Sequence, residues 1–485
     1  MSGYLPIAHV LGLMAMIISA SHLMAIAAAL IYDDGTAIAF CFSMVFNFAV
    51  GYFLWLATRR RERDLKPRDG FLLVTLAWSG GAAFATVPLL LTVPGLSFTD
   101  AYFETMSGLT TTGATVIAGL DHLPPAVNLW RHELNWLGGM GIIVLAVAIM
   151  PLLGVGGMQV YKAETPGPMK DSKLTPRITE TAKNLWLVYA GLTFACILAL
   201  KLAGMNWLDA ICHAFAALSL GGLSTHDASV GFFDSPLIEA ILILFMLIAA
   251  LNFATHFLAL RGRSLRIYAR DAEARWVLLV LALSTLGIAL YVYAHGAYED
   301  FVTALRYTAF NLVSIATDCG FVNTDYEQWP VFAPMWMLFL SSITASSGST
   351  GSGIKMIRTL ILIRQARREM LLLLHPQAVH PLRIGGSVIQ NKAIYSVLGF
   401  IVVYFMSIVV LSFALMASGL DFISSFTAIV ACINNAGPGL GHVGPATTYG
   451  SLTDYQVWPC TIAMFIGRIE IFTLLILLTP AFWRK

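Results

Sequence analysis

The sequence predicts an all-α integral membrane protein, in which four pseudo-fourfold helix–half-helix–helix repeats surround a central pore. Three observations predict it. Of the 485 residues, 12% are charged and 58% apolar, whereas soluble domains carry about 25% charged residues. Apolar runs such as Trp186–Leu202, Leu237–Leu260, Trp276–Tyr293, Tyr395–Leu415 and Ile462–Pro480 reach, with their flanks, the ~20 residues needed to cross a bilayer core. A short apolar segment followed by a glycine-bearing polar turn also recurs four times.

Met1–Tyr32 lacks a basic leader and a small-residue cleavage site, so it reads as a first membrane helix and not as a removed signal. Charge then sets orientation. All but four of the 29 basic residues fall in Arg59–Arg68, Lys162–Lys183, Arg261–Arg275, Lys355–Lys392 and the final Arg484-Lys485. The positive-inside rule places these clusters, and both chain ends, in the cytoplasm. The exceptions are Arg131, Lys201, Arg306 and Arg468. The opposite connections are acidic (Asp33-Asp34, Asp100, Glu104, Asp121, Asp209, Asp227, Asp234, Glu299-Asp300, Asp325, Glu327, Asp454). Such an outer face concentrates cations at a pore mouth. The six cysteines are scattered without a C-x-x-C and read as small buried apolar residues.

The short segments are Asp100–Leu109, Asp209–Leu218, Thr303–Ile315 and Asp421–Ile433. The turns after them carry Gly113, Gly222, Gly320 and Gly437. Asp100 and Asp209 stand where a helix N-cap would sit. A dozen helical residues span only ~18 Å. Such a segment re-enters the membrane and stops halfway, which leaves non-helical backbone at membrane depth. That backbone must be buried in protein or line a water-filled path, and glycine permits its torsions. Four such turns meeting on one axis would stack carbonyl oxygens into rings that replace the hydration shell of K⁺.

The motifs TTTGATV (110–116), GGMGIIVLAVAIMP (138–151), GGLSTHDAS (221–229), NNAGPGLG (434–441) and GRIEIFTLLILLTPAFW (467–483) span nearly the whole chain. With them the sequence resembles the TrkH family of the bacterial Trk potassium uptake system, within the Trk/Ktr/HKT superfamily. The resemblance implies an N-terminal transmembrane helix pair, which Met1–Tyr32 and Ala37–Ala57 fit, in residues 1–68. Pore repeats then follow at 69–153, 154–260, 261–375 and 376–485, the third carrying an intramembrane gate loop.

The resemblance also implies that carbonyls of Thr111-Thr112, Leu220-Gly221, Asp318-Cys319 and Asn435-Ala436 coordinate K⁺, with Gly113, Gly222, Gly320 and Gly437 next in line. Because carbonyls do the work, side chains as different as Leu220 and Ala436 are tolerated. Asp318 departs from the Thr-like residue that the resemblance implies. Its carboxylate either faces the ion or turns away to accept backbone N–H bonds. The second is favoured, because a full charge on the pore wall would trap the ion.

Ser341–Gly353 (SSITASSGSTGSG) interrupts the second long helix of repeat three, and Trp329–Leu340 is too short to cross alone. The loop should therefore lie within the membrane below the filter. The resemblance implies the same: a gate made of Ser346, Ser347, Gly348, Ser349, Thr350, Gly351, Ser352 and Gly353. Arg468, in FIGRIEIF, needs a partner or a wet cavity at membrane depth. Glu470, two residues on, lies on another helix face. Arg468 is expected to donate to loop carbonyls or hydroxyls near Ser346–Ser352 and to repel cations. A purely structural ion pair is the alternative.

No histidines show metal-ligand spacing, and no inward-facing polar cluster suits a membrane enzyme. The expected cargo is K⁺, without an organic cofactor. A secondary active symporter (K⁺/H⁺ or K⁺/Na⁺) is the alternative to a channel-like pore. The resemblance implies a homodimer in the bacterial cytoplasmic (inner) membrane, in contact with lipid and not nucleic acid. It also implies a cytosolic nucleotide-binding regulatory ring of the TrkA type.

Overall fold

The computed structural model describes residues 5–59, 67–144 and 175–484. Most of the expected basic clusters at 59–68 and 162–183, the second half of the motif at 138–151 and the boundary at 153–154 lie outside the described residues. The described chain is almost entirely helical. The exception is a hairpin of two two-residue strands, β1 (Arg383–Ile384) and β2 (Ser387–Val388), that turns on Gly385-Gly386, both at positive φ. The purely α-helical expectation did not include it.

α1 (Leu5–Tyr32) and α2 (Ala37–Thr58) form an antiparallel pair. Their backbones approach where glycine faces glycine: a Cβ on Gly12 would lie 2.8 Å from the Gly51 carbonyl, and one on Gly51 2.7 Å from that of Gly12. Asp34 closes the turn between them through Thr36 and accepts the Ala126 N–H (2.9 Å), which docks the pair onto the helix Pro125–Val144. Their outer faces present Ile31, Ile38 and Phe53, large apolar side chains that suit lipid.

Each repeat contributes a long helix, a half-helix and a second helix. The long helices are α3 (Pro67–Thr92), α6 (Thr175–Leu202), α11 (Ala272–Ala294) and α15 (Asn391–Ala417). The half-helices are α4 (Phe98–Leu109), α7 (Trp207–Ser219), α12 (Phe301–Ala316) and α16 (Phe422–Asn434). They begin about where the sequence placed them, but the capping expectation needs correction. Asp100 and Asp209 are not N-caps. Ser97 and Asn206 accept the Asp100 and Asp209 amides (3.1 and 2.8 Å), while Asp300 and Asp421 cap α12 and α16. Three of the helices thus start two residues earlier than expected, because Ser97, Asn206 and Asp300 each accept the amide three residues on.

The second helices differ more from expectation. Repeat one has α5 (Pro125–Val144), and in the other three repeats the span is broken. In repeat two, α8 (Pro236–Ala250) and α9 (Phe253–Gly262) meet at 99°. In repeat four, α17 (Asp454–Arg468) and α18 (Ile471–Leu478) meet at 112°. In repeat three, α13 (Phe332–Ser341) and α14 (Met356–Leu374) are separated by a loop. The runs 237–260 and 462–480, expected as simple crossings, are therefore overturned. Asn252 caps α9 by accepting the Ala254 amide (2.8 Å), and Glu470 adopts φ 60°, so neither run continues as one helix. α10 (Arg266–Arg270) and α19 (Pro480–Trp483) are short terminal turns. Among the described residues, six helices are long and apolar enough to cross a membrane, or eight if each bent pair is one span.

Candidate functional site

The four half-helices end alike. Thr111, Leu220, Asp318 and Asn435 adopt left-handed φ of 54°, 54°, 68° and 58°. The next amides, of Thr112, Gly221, Cys319 and Ala436, each reach back to a carbonyl five residues earlier at 2.8 Å. The left-handed residues themselves donate three residues back, at 2.9 to 3.3 Å. This is a Schellman ending, in which a left-handed residue lets two amides satisfy the last helical carbonyls. A non-glycine residue there costs roughly 1–2 kcal/mol, and it recurs in four unlike sequences.

The glycine after each ending, also left-handed (Gly113 76°, Gly222 57°, Gly320 91°, Gly437 85°), meets the next repeat. A Cβ on Gly113 would strike the Gly221 carbonyl oxygen; on Gly222, that of Cys319; on Gly320, that of Ala436; and on Gly437, that of Thr112. The contacts run from repeat one to two, three, four and back to one. All four expected pairs, with their glycines, are thereby brought into one closed ring. Asn435 Nδ2 adds a cross-link to Thr112 Oγ1 at 2.8 Å.

A side chain on each half-helix grips the strand rising from its turn. Glu104 accepts from Thr115 Oγ1 (2.9 Å) and the Val116 amide (3.1 Å). His213 contacts Ser224 Oγ at 3.0 Å. Asn311 donates to Asn323, and Thr427 accepts the Leu440 amide at 2.9 Å. In repeat one the grip is ionic, since Arg131 Nε donates to Glu104 at 2.7 Å with both side chains buried. Glu104, expected on the acidic outer face, is therefore part of the support of the repeat-one turn. Its signal was a carboxylate in the middle of the half-helix, with an arginine in the helix that follows.

Beneath the ring, the 341–353 loop is tied on several sides. Thr350 Oγ1 donates to Leu218 O at the end of α7 (3.1 Å), and Thr344 Oγ1 donates to Ala316 O at the end of α12. The Ser346 amide reaches Ala250 O (3.0 Å), and Gly348 O accepts from the Phe253 amide (3.1 Å) at the break in repeat two. Glu273 accepts the amides of Ser347 and Ile357, both at 3.0 Å, so one carboxylate spans the loop and the start of α14. Sequence reasoning had left Glu273 inside a basic cluster.

Arg468 is buried and donates to Thr350 O (2.7 Å), Ser352 Oγ (3.4 Å) and Gly138 O (3.1 Å). Glu470 instead receives Arg358 at 3.0 Å. Arg468 is thus bound to the loop and not held in an ion pair with Glu470. Asp318 is buried with Oδ2 accepting the Ser352 amide at 3.1 Å, so its carboxylate meets the 341–353 loop.

Residues 37–485 match the TrkH family, described as cation transport proteins. The chain is 45% identical over 480 residues to Trk system potassium uptake protein TrkH of Salmonella typhimurium, with 99% of each covered. It is 46% identical over 482 residues to the TrkH of Vibrio parahaemolyticus, again with 99% of each covered. The crystal structure of the potassium transporter TrkH from Vibrio parahaemolyticus matches with a TM-score of 0.92 at 43% identity, covering 99% of this chain and 100% of that one. The chain belongs to the TrkH family. As a member it is a cation transport protein and not an enzyme.

This TrkH-family chain also joins repeats one and two by charge. His226, in the turn motif of repeat two, lies between Asp121 of repeat one and Asp209 Oδ2 (3.3 Å) and stacks on Phe232 with ring centres 3.5 Å apart. Asp227 accepts the amides of Gly119 and Leu120 (3.0 and 3.1 Å). Burial works against the imidazolium, yet the two carboxylates outweigh it and raise the His226 pKa. Asp121 is held low, its partial burial outweighed by hydrogen bonds from His226 and the Asp227 amide. Of the other isolated basic residues, Arg306 pairs with Glu239 (2.7 Å) and Lys201 Nζ donates to Met205 O (3.1 Å).

Proposed function

We propose that this chain takes up K⁺ across the bacterial cytoplasmic membrane by channel-like permeation, through a filter of carbonyls from Thr111-Thr112, Leu220-Gly221, Asp318-Cys319 and Asn435-Ala436. The observation that carries the reading is the closed ring of glycine-to-carbonyl contacts, one from each repeat. Four half-helix C-termini converge on it, each carrying roughly −0.5 of an elementary charge, which favours a cation there. The family description and the names of the relatives support K⁺ as cargo.

Residues 346–353 form the gate, and Arg468 holds it. Na⁺ would be disfavoured by the field and number of carbonyls. A homodimer with one pore per chain and a TrkA-type cytosolic ring complete the assembly, the ring acting through the cytoplasmic ends of α14 and the 375–392 connection. The test is ⁸⁶Rb⁺ flux into liposomes holding the purified chain, under an imposed voltage with K⁺ as the only ion gradient. Sustained, voltage-driven uptake supports permeation. Uptake that needs a proton or Na⁺ gradient would assign the chain to symport.

A further inference from the structure

We propose that Asp318 is a latch that couples the filter to the gate, holding the closed loop by its charge; this rests on the pore reading above. The four positions Thr111, Leu220, Asp318 and Asn435 are equivalent by torsion and by capping bonds. Two of their side chains bond the second span of their own repeat. Asn435 bonds the Met464 carbonyl of α17 at 3.0 Å, a continuous helix. Asp318 bonds the Ser352 amide, in the loop that interrupts the corresponding helix of repeat three.

Ser352 thus sits between the side chains of Asp318 and Arg468. Asp318 holds its amide from above, and Arg468 approaches its hydroxyl (3.4 Å) and grips the Thr350 carbonyl (2.7 Å) from repeat four. Asp318 is the one charged residue of the four equivalent positions, and it belongs to the repeat whose second helix opens into a Ser/Gly loop. When the loop leaves, the carboxylate loses the Ser352 amide and its turn loses a support, so gate movement is felt in the filter. Among the described residues its Oδ1 has no hydrogen-bond partner, and the Ser352 amide bonds its Oδ2 in this state.

Asp318→Asn tests this without straining the backbone, since asparagine tolerates the left-handed region. It removes the charge and keeps an acceptor. Weakening a charge-assisted hydrogen bond to a neutral one shifts the open–closed balance about three- to tenfold. ⁸⁶Rb⁺ flux in liposomes without the regulatory ring should rise by that factor, with the K⁺/Na⁺ ratio unchanged. Asp318→Asn combined with Arg468→Ala should raise flux no further than the larger single change, because both release the same loop. Unchanged flux, or a changed ion ratio at unchanged flux, would overturn the latch. Hydrogen exchange of peptides covering 346–353 supplies a readout that needs no transport. Faster exchange in Asp318→Asn supports the latch, and equal exchange rejects it. A parent chain with no ⁸⁶Rb⁺ flux at all would reject the pore reading, while exchange still decides the latch.

Discussion

Repeats one and three present the same left-handed turn and support it in opposite ways. In repeat one the supporting carboxylate, Glu104, stands on the half-helix, reaches the outgoing strand and is sealed by Arg131 inside the protein. In repeat three the carboxylate, Asp318, stands on the turn itself and reaches down to a Ser/Gly loop. The backbone geometry is shared, whereas one support is rigid and the other is bonded to a segment of low intrinsic helical stability. Under the proposed pore reading, four like turns can include one side that responds to the 346–353 loop.

The largest effect should come from breaking the rigid side. Glu104→Gln leaves Arg131 buried without its counter-charge, which costs about 3–5 kcal/mol. A lowered thermal-unfolding midpoint in detergent would register it. Replacing both by methionine should recover much of the loss, because the unpaired charge is then gone. A single variant as stable as the parent would show that the pair does not support repeat one.

The next effect lies in the ring. Gly113 sits at φ 76° with the Gly221 carbonyl against the place a Cβ would occupy. Gly113→Ser adds a left-handed cost of roughly 1–2 kcal/mol and pushes that carbonyl aside. Na⁺ flux should rise relative to K⁺, measured by competition in liposomes. Ion ratios equal to the parent's would remove Gly113 from the filter.

On the movable side, Arg468→Ala deletes the hydrogen bonds to Thr350, Ser352 and Gly138, charge-assisted bonds worth about 1.5–3 kcal/mol each. The loop should open more often, with several-fold higher ⁸⁶Rb⁺ flux in the absence of the regulatory ring. Normal expression with parental flux would place the gate elsewhere; abolished flux would make Arg468 an anchor of the fold.

Much of this was legible in the sequence, and the gaps have physical causes. The four half-spans were legible because each couples a short apolar run to a glycine, and backbone at membrane depth has few solutions. Arg468 and the 341–353 loop were legible because charge and Ser/Gly runs inside apolar sequence demand an explanation. The bends at 251–252 and 469–470 were not, since a lone Asn252 or Glu470 leaves the hydropathy of a 20-residue run almost unchanged. Glu104 and Glu273 were read by neighbourhood, one as outer and one as part of a basic cluster. Their roles depend on partners far along the chain: Arg131 and Val116 for the first, Ser347 and Ile357 for the second. The caps shifted because Ser97 and Asn206 cap as well as aspartate does, and sequence alone does not rank neighbouring candidates.

The smallest effect concerns the His226 cluster, which joins repeats one and two by charge. His226 faces Asp121 and Asp209, with Asp227 beside it and His213 behind. Two ionised carboxylates are acceptors only, so both ring nitrogens must carry protons to serve both. The raised His226 pKa gives the sign: its contribution to stability is full below the unfolded value near 6.5 and fades as pH rises through the higher folded value. Asp121, held low, acts at the other end, its contribution being lost as pH falls below the unfolded value near 3.8. The clamp is therefore strongest in mildly acid medium and loosens toward alkaline pH, and partial exposure limits the change to a few tenths of a kcal/mol or so. Thermal melts from pH 5 to 9 should show a shallow decline on the alkaline side that His226→Gln abolishes. A decline of the same depth in that variant would assign the titration to another group.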